Sequence, residues 1–236
     1  MADIDLKVSP SLHPDNVKQV DGYSERTKGV LGATETAFSA AYQAVGAVHK
    51  AKAASAKNQA WTPEQRLLQL DDFANKQFGK VAKQMDAAHD RLVSGIAHLE
   101  AQLTEPLQSK AGHAISKEIR GHVKTLSTEK RMEFLTEALS NEDYDSLTAV
   151  LGAPSYLSGL DAKMADAFTR QYREQASPEA AERLKAMTGA RDLIRNNGGF
   201  LHGELRKAVG ADHATAQKLR DANSEAEKAL ILKDAA

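Results

Sequence analysis

Apolar residues recur at helical spacing through most of the chain. From about Ser24 to Asn58, Leu31, Thr34, Phe38, Ala41, Val45 and Val48 fall three or four positions apart. That is a narrow seam with small residues in it, suited to close packing against another helix. Trp61 precedes the clearest helix start. Thr62 fits the N-cap, Pro63 the first helical position, and Gln65 completes a capping box. A second seam follows: Leu67, Leu70, Ala74, Phe78, Val81, Met85, Ala88, Leu92, Ile96, Leu99 and Leu103. Pro106 either ends this helix or begins a new one after Thr104. A helix of about 40 residues would measure about 60 Å. Long helices with narrow seams pair with partners of similar length. The pattern therefore predicts an antiparallel helical hairpin from about Ser24 to Thr104.

Downstream the helices are shorter. Leu107, Ala111, Ile115, Ile119, Val123 and Leu126 form one stripe. Ser127 or Thr128 caps the next helix, which turns Met132, Leu135 and Leu139 inward. Helices are expected at about Tyr144 to Leu151, Asp161 to Gln175, Pro178 to Arg195, Phe200 to Val209 and Asp212 to Leu232. Gly152, Asn196-Asn197-Gly198-Gly199 and Gly210 act as breakers. The expected fold is all-α, a long antiparallel hairpin followed by a smaller multi-helix domain. Its segments are a flexible N-terminal arm (1–22), the hairpin (23–105) and a C-terminal helical domain (106–236). The weak alternation of Ile4, Leu6 and Val8 before Pro10 and Pro14 favours a loose terminus over an arm docked on another subunit.

Composition narrows the function classes. Of 236 residues 40 are alanine, while Leu, Ile, Val and Phe make about a fifth. Lys and Arg total 31 and Asp and Glu 32, a formal charge of −1, so a strongly basic nucleic-acid binder is not expected. Without cysteine there is no disulfide framework and no thiolate zinc site. No apolar run approaches a membrane span and no charged-then-apolar leader follows Met1, so neither membrane association nor export is expected.

Candidate chemistry is sparse. Asp86 with His89, and Glu118 with His122, place a carboxylate and an imidazole on one helical face, but a di-iron bundle needs matched Glu-x-x-His pairs and further glutamates. Solvated ion pairs explain both better, and neither metal nor cofactor is expected. No phosphate loop, dinucleotide fingerprint or nucleophile elbow occurs. The acidic group Glu142, Asp143 and Asp145 suits the start of a helix more than a reaction centre. No catalytic residue is assigned, and an enzyme is not expected.

Two segments carry interaction signals. The loop Ala153 to Gly159 is apolar. Such a loop either packs beneath neighbouring helices, the favoured reading, or is offered to a partner; in the second case Tyr156, Leu157 and Pro154 are the anchors. Near the C-terminus, Leu205, Val209, Gly210, Ala216 and Leu219 fit the apolar and glycine positions of a helix-turn-helix. Thr215, Gln217, Lys218 and Arg220 would then face a DNA groove. Arg206 stands where such units place a small residue, and Glu225 and Glu227 would repel phosphate, so plain helical packing is favoured.

The run from Ala149 through Leu151-Gly152-Ala153-Pro154-Ser155-Tyr156 to Leu160, with Glu118-Ile119-Arg120 upstream and Ala222-Asn223-Ser224-Glu225 downstream, resembles helical proteins of tailed phages and prophages encoded among structural and packaging genes. The resemblance spans roughly Leu92 to Lys228. It implies a virion or assembly role by association and assigns no residue a role. The expected partners are proteins, either virion components or further copies of the chain, in the bacterial cytoplasm or the virion. A DNA-binding accessory protein is the alternative.

Overall fold

Four short polar side chains set where helices begin. Ser127 Oγ accepts from the Lys130 backbone N–H (3.4 Å) and Asp143 Oδ1 from Ser146 (3.0 Å). Asp161 Oδ1 accepts from Met164 (2.8 Å) and Asp212 Oδ1 from Thr215 (2.7 Å). Each satisfies a first-turn donor that has no partner within its helix. The capping box at the second helix forms as expected. Thr62 N–H donates to Gln65 Oε1 (3.1 Å), and Gln65 N–H to Thr62 Oγ1 (3.2 Å).

The computed structural model describes residues 7–111 and 114–230. Its helices are α1 (Lys28–Ser55), α2 (Pro63–Ala111), α3 (Ala114–Thr125), α4 (Thr128–Ser140), α5 (Tyr144–Leu151), α6 (Ala162–Ala176), α7 (Pro178–Asn197), α8 (Phe200–Val209) and α9 (His213–Ala229). No strand occurs among the described residues. The fold is all-α, with the long helices α1 and α2 packed together as a hairpin and shorter helices after them. The helix α2 neither stops nor restarts at Pro106 but runs on to Ala111. Ile4, Leu6, the side chains of Leu107 and Ala111, and Leu232 lie outside the described residues.

The chain forms two compact units. One contains the described parts of Met1–Arg91 and Gly189–Ala236, the other Leu92–Thr188. These units cut across the segments expected from helix length, because parts of α2 and α7 contribute to each.

In the first unit the core is built on α1. Leu31, Phe38, Ala41, Val45 and Val48 are buried with Leu70, Ala74, Val81 and Met85 of α2 and with Leu201, Leu205 and Val209 of α8. The segment before α1 is not a loose terminus. Pro10–Leu12 and Pro14–Gln19 form 3₁₀ turns that pack on α1 and bury Leu12 and Val17 completely. Ser9 N–H donates to Glu204 Oε2 (3.2 Å), and Asn197 Nδ2 to the Ser11 carbonyl (3.0 Å). The prolines that suggested a loose arm instead preset the backbone of these turns. Gly210 ends α8 with φ of 86°, and Lys52 Nζ occupies the space a side chain there would take.

In the second unit, Val123, Leu135, Leu139, Leu147, Val150, Leu160, Phe168 and Tyr172 form one cluster from α3 to α6. Two stripe positions point elsewhere. Ile115 is 66% exposed and Met132 49% exposed, contrary to the inward placement expected of both. The buried face of α3 is Ser116, Arg120 and Val123, and Arg120 Nη1 donates to the Ala149 carbonyl (2.7 Å). That bond satisfies a buried guanidinium, so a polar residue occupies a place the apolar pattern reserved for another face.

Candidate interaction surface

The apolar loop is outside the core. Tyr156 is 68% exposed and Leu157 39% exposed, Pro154 is exposed beside them, and only Ser158 and Leu160 are buried. The favoured expectation that the loop packs beneath helices is therefore overturned. Ser155–Leu157 makes one 3₁₀ turn, after which Leu160 enters the core while Tyr156 and Leu157 stay outside it.

The loop is held in one shape by hydrogen bonds. Leu157 N–H donates to the Pro154 carbonyl (2.9 Å), and Ser158 N–H and Leu160 N–H both donate to Ser155 (3.2 and 3.0 Å). Arg131 on α4 fastens it from below. Its Nη1 donates to the Gly159 carbonyl (2.7 Å), its Nη2 to Lys124 (2.8 Å) and its Nε to Val123 (3.1 Å). One guanidinium thus serves the end of α3 and the loop together, a use of its fixed fork of donors that lysine cannot match. Gly159 has φ of 73°, and a Cβ there would stand 2.9 Å from the guanidinium carbon. The apolar pattern singles out neither Arg131 nor Gly159; the signal for Gly159 is a lone glycine between Ser158 and Leu160 at the end of the loop.

Next along the surface, Met132, Met164 and Phe168 line a groove of about 740 Å³ between α4 and the start of α6. Methionine adapts to varied partner shapes. The groove follows the loop in sequence, since Asp161 and Ala162 belong to its wall.

The helix pair α8 and α9 forms with the expected turn, but its side chains are placed differently from a DNA reader. Thr215, Gln217 and Lys218 are exposed, with Gln217 Nε2 donating to Asp221 (2.8 Å). Arg220 turns back onto α2. Its Nη2 donates to Asp71 Oδ2 (2.5 Å) and also reaches Asp72 Oδ1. Arg206 Nη1 binds Asp71 Oδ1, and Asn75 Nδ2 donates to Asp71 Oδ2 (3.1 Å). Asp71 is fully buried. Burial pushes its carboxyl pKa up, but the hydrogen bonds and charges of Arg220 and Arg206 outweigh that and hold it below the ordinary value. The sequence signal for this cluster was a charge, Asp71, set beside the seam residues Leu70 and Ala74.

Among the described residues no group of three or more His, Asp or Glu side chains gathers to hold a metal, and Asp143 and Asp145 cap and charge the start of α5. Among the described residues no helix is long and apolar enough to cross a membrane. Comparison with family models, curated proteins and solved structures found no match.

Proposed function

We propose that the protein is a non-enzymatic helical structural or assembly protein, a component of a phage virion or of its assembly, which acts through protein–protein contacts. The observation that carries this reading is the exposed, preorganised apolar loop. Tyr156 and Leu157 stand out from a backbone already ordered by Arg131 and the loop's own hydrogen bonds. An aromatic anchor on a rigid turn loses little conformational entropy on binding, which is what a contact residue needs. The phage assignment rests on the resemblance carried by the same stretch, Ala149 to Leu160.

The DNA-binding alternative keeps Thr215, Gln217 and Lys218 on an exposed face but loses Arg220 to Asp71 and Asp72. Neutralising a cation internally removes its attraction for phosphate, so protein contact is the stronger reading.

Light scattering at several concentrations and sedimentation with virions and assembly intermediates test it. Association with itself or with those particles is expected, and Tyr156→Ser with Leu157→Ser should abolish it while the helical spectrum is unchanged. A strictly monomeric chain absent from every particle fraction would refute the proposal.

A further inference from the structure

The tip of the α1–α2 hairpin offers a second surface, in the unit that does not contain the Tyr156 loop. Ala51 and Ala54 at the end of α1, Asn58 and Trp61 in the connection, and Leu70 and Phe73 on α2 line a groove of about 420 Å³. Its floor is apolar because alanines on α1 leave room that no side chain of the hairpin fills. Trp61 is 38% exposed at its edge and is the sole tryptophan of the chain. Tryptophan on a concave apolar surface is the residue type most enriched at binding hot spots.

The segment around the groove is predominantly positive. Between Thr36 and Leu70 the only acidic residue is Glu64, against Lys50, Lys52, Lys57 and Arg66, a formal charge of +3. Lys52 Nζ lies beside Gly210, at the C-terminal end of α8. Lys50 and Lys57 are exposed, and no carboxylate among the described residues forms an ion pair with either. Arg66 Nη2 donates to the Asn58 carbonyl (2.7 Å), which holds the guanidinium at the groove end, and its Nε has no partner. The next carboxylates along α2, Asp71 and Asp72, are already bound by Arg206 and Arg220. The tip therefore keeps a net positive charge.

We infer that this groove binds an acidic peptide segment of a protein partner, which seats an aliphatic or aromatic side chain against Trp61, Phe73 and Leu70 and sets its carboxylates against Lys50, Lys57 and Arg66. Complementary charge steers the encounter, and the apolar floor supplies retention. Single-stranded nucleic acid is a poorer fit. It needs cations that track a backbone over several nucleotides, whereas here the cations are few and the groove itself is lined by Ala51, Ala54, Trp61, Leu70 and Phe73.

Trp61 makes the test direct, since its emission reports this groove alone. The full chain is titrated with a short Asp- and Glu-rich peptide bearing one Leu and one Phe. Three probes serve as comparisons: the same peptide with Ser at both apolar positions, its Lys-rich counterpart, and oligothymidylate. The acidic apolar peptide should shift Trp61 emission to the blue, with affinity falling about tenfold between low and physiological salt. Removing its apolar anchors should abolish the shift. Lys50→Glu with Lys57→Glu, both exposed substitutions, should weaken binding by about tenfold or more while the Trp61 emission of the free protein is unchanged. Ala54→Leu, which fills the groove without altering charge, should do the same. The inference is overturned if the acidic apolar peptide leaves the emission unchanged. It is equally overturned if the anchorless peptide or oligothymidylate binds as well, for then the tip is an unspecific cationic patch. Loss of Tyr156-dependent association leaves this experiment untouched, so the two surfaces stand or fall separately.

Discussion

Removing Asp71 should weaken the first unit. Its side chain is 0% exposed and holds Arg206 of α8 and Arg220 of α9, with Asn75 bridging. Of the residues of α9 only Ala216 is buried, so Arg220 supplies much of what fixes that helix to α2. Breaking a buried ion pair from one side costs about 3–5 kcal/mol, because the partner charge stays behind in poor solvent. Here both arginines reach water at side-chain exposures of 13% and 29%, and Arg220 keeps Asp72. The low end therefore applies, about 3 kcal/mol for Asp71→Ala. Asp71→Asn retains one acceptor and should lose about half as much. Urea denaturation followed by Trp61 emission measures both, and about 3 kcal/mol corresponds to a midpoint lowered by about 1–1.5 M. Protonation gives an independent check. The folded carboxyl lies below its unfolded value, so its contribution is complete above the ordinary aspartate pKa. It is then lost as pH falls through the folded value. The gap between wild type and Asp71→Asn should shrink in that window. Variants within about 0.5 kcal/mol of wild type at neutral pH, with parallel pH curves, would refute the assignment.

Other predictions follow from single contacts. Arg131→Met removes three hydrogen bonds to carbonyls of Val123, Lys124 and Gly159 and should increase amide exchange through Ser155 to Leu160 well beyond its effect on α6. Gly159→Ala meets both a left-handed backbone and the Arg131 guanidinium, and thermal denaturation should show a loss of about 1–3 kcal/mol. Glu142, at φ of 53°, runs the other way: Glu142→Gly should raise stability by up to about 1 kcal/mol in the same assay.

Much of the fold was readable from local chemistry. Thr62, Pro63 and Gln65 announced the start of α2, and the capping box forms from atoms within four residues of one another. The same holds for Ser127 and Asp143, whose caps need no distant partner. The alternating seams of α1 and α2 predicted their pairing because a narrow apolar stripe on a long helix has few other ways to leave water. Ile115 and Met132 show where periodicity fails. Their spacing fits an inward stripe, yet α3 is rotated so that Arg120 reaches the Ala149 carbonyl, and Met132 edges a groove. A stripe gives the angular position of side chains on a helix, whereas a neighbour decides how the helix is turned.

The sequence by itself determined the helical class, most helix boundaries and the hairpin, since these depend on propensity, caps and spacing over a few turns. The tertiary structure decided the rest. It packed the proline-bearing segment before α1 onto that helix, left Tyr156 and Leu157 exposed, and brought Asp71 together with Arg206 and Arg220 across separations of more than a hundred residues. Contacts so remote leave no periodic trace, because a charge beside an apolar seam is explained only by the partner that arrives there.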